Sequence, residues 1–294
     1  MSGINSNKLS NLSCNLKKSV TTSIKETGLI NIWYTNADVL TQAKIHELKE
    51  EIITSDVHPD IIAITEIKPT KYVRELTENE YEIDGYKFEH ENLEEKNSTR
   101  GVGIYVNESL NFSKVMTNKI IDPNEDAPRE VISIELRLEG KERMLFSNIY
   151  RNPSSDGRAN VNINNFFQKI GSAKYDHKVI VGDFNRKEIK WHDVTSSSED
   201  DTAFIEATRD SFLTQHILQP TRGRGTNEPS LLDLFFSSNE ESVENIEFHS
   251  PLGKSDHSLI KVTYRSQPEK LPIKKICEYH KADFQMMKEM LDID

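Results

Sequence analysis

Short apolar runs of strand length constrain the fold of this sequence most strongly. Polar or helix-compatible segments separate them, and several are rich in Ile and Val. Runs that are apolar throughout are typical of strands buried on both faces of a sheet. The predicted strands are Gly28–Tyr34, Asp60–Thr65, Gly101–Val106, Val131–Leu138, Arg143–Ile149, Val179–Val181, Leu231–Phe236 and Ser258–Tyr264.

Three of the segments between these runs have the residue spacing of amphipathic helices. They are Ala43–Ile53, Val161–Ile170 and Ala203–Leu213, with apolar residues at intervals of three and four. Two other segments, Arg74–Asn97 and Thr195–Asp201, are charged or rich in Ser and Asp and predict loops. Strands that alternate with helices and hairpins favour an α/β sandwich with helices outside two packed sheets.

The two ends of the chain differ in composition from the middle. Residues 1–26 are polar and predict a flexible leader, residues 27–266 predict the folded domain, and residues 267–294 predict a linker and a short helix at Asp283–Leu291. The leader lacks the apolar segment of a secretory signal. No run approaches the roughly 18 apolar residues of a membrane span. We therefore expect an intracellular protein without membrane contact.

The charge balance argues mildly against one class of function, the binding of nucleic acid by charge alone. The chain has 37 Lys and Arg against 48 Asp and Glu, and its formal net charge is −11. Proteins that hold nucleic acid by overall charge need clustered positive residues instead. An enzyme that meets a substrate phosphate through a bound metal ion remains compatible with this balance.

Polar side chains follow several predicted strands at the point where each strand ends. In α/β sheets, ligands gather beyond the carboxyl ends of the strands. A single polar residue there more often begins a turn, but several together favour a shared cleft. These residues are Asn36, Glu66, Tyr150, Arg151, Asp183 and Asn185.

A second signal joins an acidic residue to a histidine. Asp233 lies inside the apolar run Leu231–Phe236, where an unpaired carboxylate would be costly. Asp256 and His257 directly precede the last predicted strand, and they offer a metal ligand and a proton-handling group. A contact between Asp233 and His257 would remove the cost and fix the imidazole orientation.

Taken in order, seven phrases resemble the motifs of the endonuclease/exonuclease/phosphatase superfamily over roughly Leu29–Tyr264. They are TNAD at Asn36, ITEIKP at Glu66, GVGIYV, IYRNP, VGDFN, PTRGRGTNEPSLLDLFF and GKSDHSLI. The last three, with IKWHD at Ile189–Asp193, are most similar to the endonuclease domain of non-LTR (LINE-type) retrotransposon polyproteins. The resemblance implies a DNase-like α/β fold, a four-layer α/β sandwich of two packed mixed β-sheets flanked by helices.

The resemblance also implies a divalent metal site. Asn36, Glu66 and Asp256 would bind or position the ion, with Glu66 as the principal ligand. Mg²⁺ suits these oxygen ligands, and Mn²⁺ is expected to substitute for it. The metal would act as a Lewis acid and a charge clamp.

Five further residues receive catalytic roles from the same resemblance. Tyr150 would donate a hydrogen bond to the scissile phosphate. Asp183, with Asn185, would orient and deprotonate the attacking water. Asp233 would orient His257, which would stabilise the transition state.

Contacts with DNA are expected from Arg151 and from the basic, turn-rich segment PTRGRGTNEPS. In that segment the predicted contacts are Arg222, Arg224 and Thr226. The first hypothesis is an endonuclease that nicks DNA and leaves a 3′-hydroxyl, which an associated reverse transcriptase extends in the nucleus. The alternatives are a phosphatase or phosphodiesterase of the same superfamily that acts on a lipid or nucleotide, and a catalytically dead binding module. Target-site preference and oligomeric state stay open.

Overall fold

The computed structural model describes residues 28–69, 78–93, 99–121, 125–223, 228–267 and 285–286. They form two six-stranded sheets. The first sheet contains β1 (Leu29–Asn36), β2 (Ile61–Thr65), β3 (Tyr86–Glu91), β4 (Val102–Asn107), β11 (Val243–His249) and β12 (Leu259–Arg265). The second contains β5 (Phe112–Val115), β6 (Val131–Arg137), β7 (Arg143–Tyr150), β8 (His177–Asp183), β9 (Thr214–Gln215) and β10 (Asp233–Ser237). The α-helices are α1 (Gln42–Thr54), α2 (Gly157–Ser172) and α3 (Glu199–Asp210).

The two sheets repeat one arrangement of strands. Their orders are β11-β12-β1-β2-β4-β3 and β5-β6-β7-β8-β10-β9. In each, a central parallel pair, β1 with β2 or β7 with β8, is flanked by antiparallel neighbours. Because parallel neighbours need a crossover, α1 connects the first pair and α2 the second. Each parallel pair therefore brings two carboxyl ends to one edge of its sheet.

Three apolar layers hold these elements together. Side chains such as Ile104, Phe146 and Phe235 fill the space between the sheets. On the outer face of the first sheet, Leu48 of α1 belongs to a second cluster, and on the outer face of the second sheet, Phe204 of α3 belongs to a third. The order is helix, sheet, sheet, helix, so the predicted four-layer α/β sandwich is confirmed.

Asn148 on β7 is a polar exception within the layer between the sheets. Its Nδ2 donates to the carbonyl oxygens of Ile64 (2.9 Å) and Gly103 (3.0 Å) on the facing sheet. Its side chain is fully buried, and a buried amide without partners would cost about 1–3 kcal/mol. Glu66 lies two residues after Ile64, and Tyr150 lies two residues after Asn148. The Asn148 amide therefore also fixes how the ends of β2 and β7 face each other.

Two loop predictions are wrong in part. Tyr86–Glu91 of the predicted loop Arg74–Asn97 forms β3, an edge strand whose mixed polar residues hide the strand pattern. Glu199–Asp201 of the other predicted loop forms the first turn of α3, because Ser198 caps it and the acidic residues favour a helix start. The edge strands β5, β9 and β11 were also not predicted, and they are short or partly exposed.

The predictions for the chain ends fall mostly outside the described residues. These are the leader at 1–26 and nearly all of the linker and helix at 267–294. The boundaries of the predicted domain at 27 and 266 therefore stay predictions. Among the described residues, no helix is both long and apolar enough to cross a bilayer.

Gly182 on β8 provides a test of the β7–β8 pairing that positions the strand ends. A Cβ added there would lie 1.9 Å from the carbonyl oxygen of Ile149. This oxygen belongs to the backbone, so a change of side-chain rotamer cannot relieve the clash. Gly182→Ala should therefore lower the free energy of unfolding by about 3 kcal/mol or more. Urea denaturation followed by circular dichroism measures this loss.

Gly157→Ala is the matched control, because nothing lies within 4 Å of a Cβ at the first residue of α2. Its stability should equal or slightly exceed that of the wild type. Equal unfolding midpoints for the two variants would contradict the assigned close approach at Gly182.

Candidate active site

A cleft of about 250 Å³ lies where strand ends from both sheets meet. Most of its lining residues are polar, and several were predicted from the sequence. They are Asn36, Asp38, Glu66, Arg100, Pro153, Asp183, Asn185, Arg222, Asp256 and His257. Tyr150 and Asp233 contact members of this set. The structure therefore brings all the predicted catalytic and metal-site residues into one region.

The backbone at the cleft adopts unusual conformations. Glu66 and Asn185 have φ values of 53° and 49°, and Asp38 and Val39 are also in the left-handed region. Such residues cost on the order of 1–3 kcal/mol each and cluster at functional sites. From α1, the buried Nζ of Lys44 donates to the carbonyl oxygens of Ala37 and Asp38, and this stabilises the loop after β1.

Asp183 ends β8 and is fully buried. Its Oδ2 accepts from Nδ2 of Asn36 at 2.9 Å, and its Oδ1 accepts from the backbone N–H of Asn185 at 3.0 Å. Burial raises the pKa of Asp183, and the nearby Asp233 carboxylate raises it further. A carboxyl group whose pKa is shifted toward neutrality is suited to accept a proton from water.

Asp233 connects the two sheets through both of its carboxylate oxygens. Oδ1 accepts from the hydroxyl of Tyr34 at 2.8 Å, and Oδ2 lies 2.7 Å from Nδ1 of His257. Burial alone would lower the pKa of His257, but the carboxylates of Asp233, Asp183 and Asp256 together outweigh it, with Asp233 first among them, and the pKa rises to about 9. The imidazole is therefore positively charged at neutral pH, with its orientation fixed by Asp233.

Glu66 follows β2 and interacts with groups from both sheets. It accepts a hydrogen bond from Tyr150, and its Oε2 lies 2.6 Å from Nη2 of Arg100. Burial raises the pKa of Tyr150, and the Glu66 carboxylate adds to that effect. Tyr150 thus keeps its proton and remains a hydrogen-bond donor in the cleft.

Asp256 precedes β12 and lines the cleft. Its Oδ2 accepts from Nε of Arg222 at 3.0 Å, and its Oδ1 is 3.8 Å from Nε2 of His257. The Arg222 side chain is 46% exposed. Arg222 therefore lies at the mouth of the cleft, in a position to meet a ligand.

A buried group of Asp183, Asp233 and His257 has ligand atoms within 4.8 Å of one another and can hold a metal ion. It differs from the predicted metal ligands Asn36, Glu66 and Asp256. Hydrogen bonds already engage both oxygens of Asp233 and Nδ1 of His257. Asp183 is engaged by Asn36 and by the backbone of Asn185. The side chains of Glu66 and Asp256 are partly exposed in the cleft and offer the carboxylate oxygens that hydrated divalent ions prefer.

The predicted DNA contacts have different outcomes. Arg151 is only 8% exposed, and its guanidinium donates to Asn160 Oδ1 at 2.7 Å and to the carbonyl oxygens of Phe184 and Asn185. These bonds give Arg151 a role in holding the loop after β8, and its contact with DNA stays a prediction. Arg224 and Thr226 lie outside the described residues.

Sequence analysis missed three residues that shape the site. Tyr34 ends an apolar run and appeared to be core. Asp38 and Arg100 each line the cleft. The sequence carried no signal for Arg100, because its place beside Glu66 follows from the antiparallel pairing of β4 with β2 in the structure.

Residues 144–261 match a protein family described as "Endonuclease-reverse transcriptase". The matched segment is less than half of the chain. It contains the predicted catalytic residues and Asp256, whereas Asn36 and Glu66 precede it. No curated protein matches the sequence.

Solved structures match a larger part of the chain. The endonuclease domain of TRAS1, a telomere-specific non-LTR retrotransposon, aligns with a TM-score of 0.61 at 15% identity, over 82% of this chain and all of that one. The AP endonuclease LMAP from Leishmania major gives 0.61 at 14%, over 82% and 88%. An endonuclease/exonuclease/phosphatase family protein from Leptotrichia buccalis gives 0.54 at 16%, over 80% and 99%.

The chain has the endonuclease/exonuclease/phosphatase fold. The resemblance predicted from the sequence motifs is confirmed, including the likeness to a non-LTR retrotransposon endonuclease domain. At these identities the structural matches establish the fold alone. In this endonuclease/exonuclease/phosphatase fold, the cleft described above lies at the strand ends where the two sheets meet.

The charge of His257 can be tested directly. We expect its imidazole to titrate near pH 9, because the Asp233 carboxylate stabilises the charged form. Asp233→Asn keeps the shape but removes that charge, so the pKa of His257 should fall below its wild-type value. Nitrogen NMR of the imidazole across a pH series measures both values.

His249 is the control for this measurement, because it is half-buried on β11 and pairs with Glu247, not with Asp233. Its NMR signals should be the same in both proteins. A His257 pKa that Asp233→Asn leaves unchanged would show that the carboxylate does not hold the charge.

Proposed function

We propose that this chain is a divalent-metal-dependent endonuclease that hydrolyses a DNA phosphodiester and leaves a nick with a 3′-hydroxyl. The observation that carries the proposal is the convergence of Glu66, Tyr150, Asp183 and the Asp233–His257 pair in one cleft built from both sheets. A role in target-primed reverse transcription, with a reverse transcriptase as partner in the nucleus, is part of the same proposal. The family description of residues 144–261 supports it.

Glu66, Asp256 and Asn36 supply oxygen ligands of the type that Mg²⁺ and Mn²⁺ prefer. Glu66 is the principal ligand in this proposal, because its carboxylate follows the central parallel strand β2 and lines the cleft. When bound, the ion polarises a phosphoryl oxygen and neutralises developing charge. All other steps use side chains of this chain.

Two groups recognise the phosphate. The hydroxyl of Tyr150, which keeps its proton, donates a hydrogen bond to a non-bridging oxygen. His257 is positively charged at neutral pH and faces the cleft. Because charge on the phosphate increases in the transition state, a fixed cation there lowers the barrier more than it strengthens substrate binding.

Asp183 prepares the attacking water. Its raised pKa makes the ionised carboxylate a stronger base than an ordinary one, and in that form it accepts the proton while the water oxygen bonds to phosphorus. Asn185 assists in orienting that water, because its Nδ2 donates to the carbonyl oxygen of Arg151 at 2.8 Å, which fixes the carboxamide. A 3′-hydroxyl product requires that the bond from phosphorus to the 3′ oxygen break and that this oxygen take up a proton.

Nicking of supercoiled plasmid in Mg²⁺, with EDTA as the metal-free condition, tests the function. Glu66→Gln preserves volume but removes the charge that would hold the metal, so the nicking rate should fall by about two orders of magnitude or more. Glu206→Gln changes an exposed glutamate on α3 and should nick at the wild-type rate. Extension of the nick by a DNA polymerase reports the 3′-hydroxyl.

A substrate panel separates this proposal from its alternatives. Plasmid, a phosphoinositide and a nucleotide phosphomonoester are compared under the same conditions. Turnover of a monoester without plasmid nicking would identify a phosphatase of the same fold. Tight DNA binding without turnover of any substrate would favour the binding module, although the complete set of polar residues in the cleft argues against it.

Binding to DNA should be weak and only modestly dependent on salt, because the net charge of −11 repels a polyanion. Local contacts such as Arg222 must supply the affinity, and each phosphate contact contributes about 0.9 to the slope of log affinity against log salt. Arg222→Ala should therefore lower the affinity for DNA. It should also make the slope shallower by about 0.9, the contribution of one phosphate contact. Fluorescence anisotropy across a salt series measures both.

Arg209→Ala, at the exposed end of α3, is the control and should preserve the slope. If Arg222→Ala also preserves it, Arg222 does not contact DNA. A steep wild-type slope would refute binding through few contacts.

A further inference from the structure

Arg100 is a cation inside the cleft, beside the residue that the proposed function makes the principal metal ligand. Its Nη2 lies 2.6 Å from Oε2 of Glu66 and 3.2 Å from Oδ1 of Asp38. The side chain is only 16% exposed, so water weakens these pairs less than it weakens pairs on the surface. The guanidinium therefore occupies a position beside Oε2 of Glu66, the oxygen to which a metal ion would bind.

The backbone holds Arg100 firmly in this place. The carboxylate of Glu130, at the start of β6, accepts from the backbone N–H groups of Arg100 and Gly101 at 2.8–3.1 Å. In addition, Nε of Arg100 donates to the carbonyl oxygen of Lys68 at 3.0 Å. Only Nη2 reaches the two acidic side chains, so the guanidinium can release them while its other bond stays intact.

We propose that Arg100 is a positioning residue that competes with the divalent metal ion for Glu66 and Asp38. This inference rests on the proposed function, because it takes Glu66 as a metal ligand. A guanidinium and a divalent cation on the same carboxylate repel each other strongly at a separation of about 4 Å. Arg100 thus weakens metal binding and keeps Glu66 in its left-handed backbone conformation, with φ of 53°, before the metal arrives.

Two features distinguish Arg100 from an ordinary surface ion pair. Arg158, for comparison, pairs with Asp126 through a side chain that is 77% exposed. Such an exposed pair contributes little to the free energy of unfolding. Neither of its residues lines the cleft. Arg100 instead joins two acidic residues that both line the cleft, and each of them has a positive φ.

The test measures binding of Mn²⁺ alone, by electron paramagnetic resonance of the free ion, so it does not depend on activity. Arg100→Gln and Arg100→Met remove the charge, and both should bind Mn²⁺ about tenfold more tightly than the wild type. Arg100→Lys retains a positive charge and should remain within about threefold of the wild type. Arg158→Gln is the matched control and should bind as the wild type does.

Glu66→Gln makes the two levels of the proposal distinguishable. If this variant binds Mn²⁺ as tightly as the wild type, Glu66 is not the metal ligand, and both the proposed function and the inference fail. If it binds more weakly while Arg100→Gln and Arg100→Met bind no more tightly than the wild type, the metal site stands and the role of Arg100 is overturned. Circular dichroism checks that each variant, including Arg100→Met, retains the fold.

Discussion

Polar contacts across the gap between the two sheets are the interactions on which the site depends. Asn148 donates to backbone carbonyls of β2 and β4, Tyr34 donates to Asp233, and Asn36 donates to Asp183. Apolar packing between sheets is strong but not directional, so it permits small shifts of one sheet over the other. Buried hydrogen bonds penalise such shifts because they leave polar groups without partners. They therefore set the relative position of strand ends that are distant in the sequence.

The electrostatics of the cleft are compatible with the proposed action of an acidic protein on a phosphate. Acidic side chains from both sheets converge there, and burial alone would make their charges costly. The cations Arg100 and Arg222 and the charged imidazole of His257 compensate for them. The field that a substrate meets is therefore set by these nearby groups and not by the net charge of the whole molecule. Recognition by such a site depends on short distances, and the formal net charge of −11 excludes long-range attraction.

The sequence predicted the central strands and most of the site, and the reason is physical. Strands buried on both faces must be apolar throughout, so a polar residue at their ends, such as Glu66 or Asp183, is conspicuous. Edge strands such as β3 are partly exposed to solvent and therefore lack this pattern, so the sequence predicts a loop there. The partners of Arg151 could not be predicted, because a basic residue at a strand end does not reveal that it binds the carbonyl oxygens of a neighbouring loop. Long-range pairs such as Arg100 with Glu66 depend on which strands are neighbours, and that information is tertiary.

The repeated strand order has a consequence for how the reaction depends on the integrity of the molecule. The unit β1–α1–β2 delivers Asn36 and Glu66, and the equivalent unit β7–α2–β8 delivers Tyr150 and Asp183. Each unit is a complete strand–helix–strand unit, but it carries only part of the candidate site. The site is therefore assembled from both sheets, and it exists only while the two sheets are packed on each other. A breathing motion that separates the sheets by a few ångströms would disconnect the reacting groups before any strand loses its ladder of hydrogen bonds.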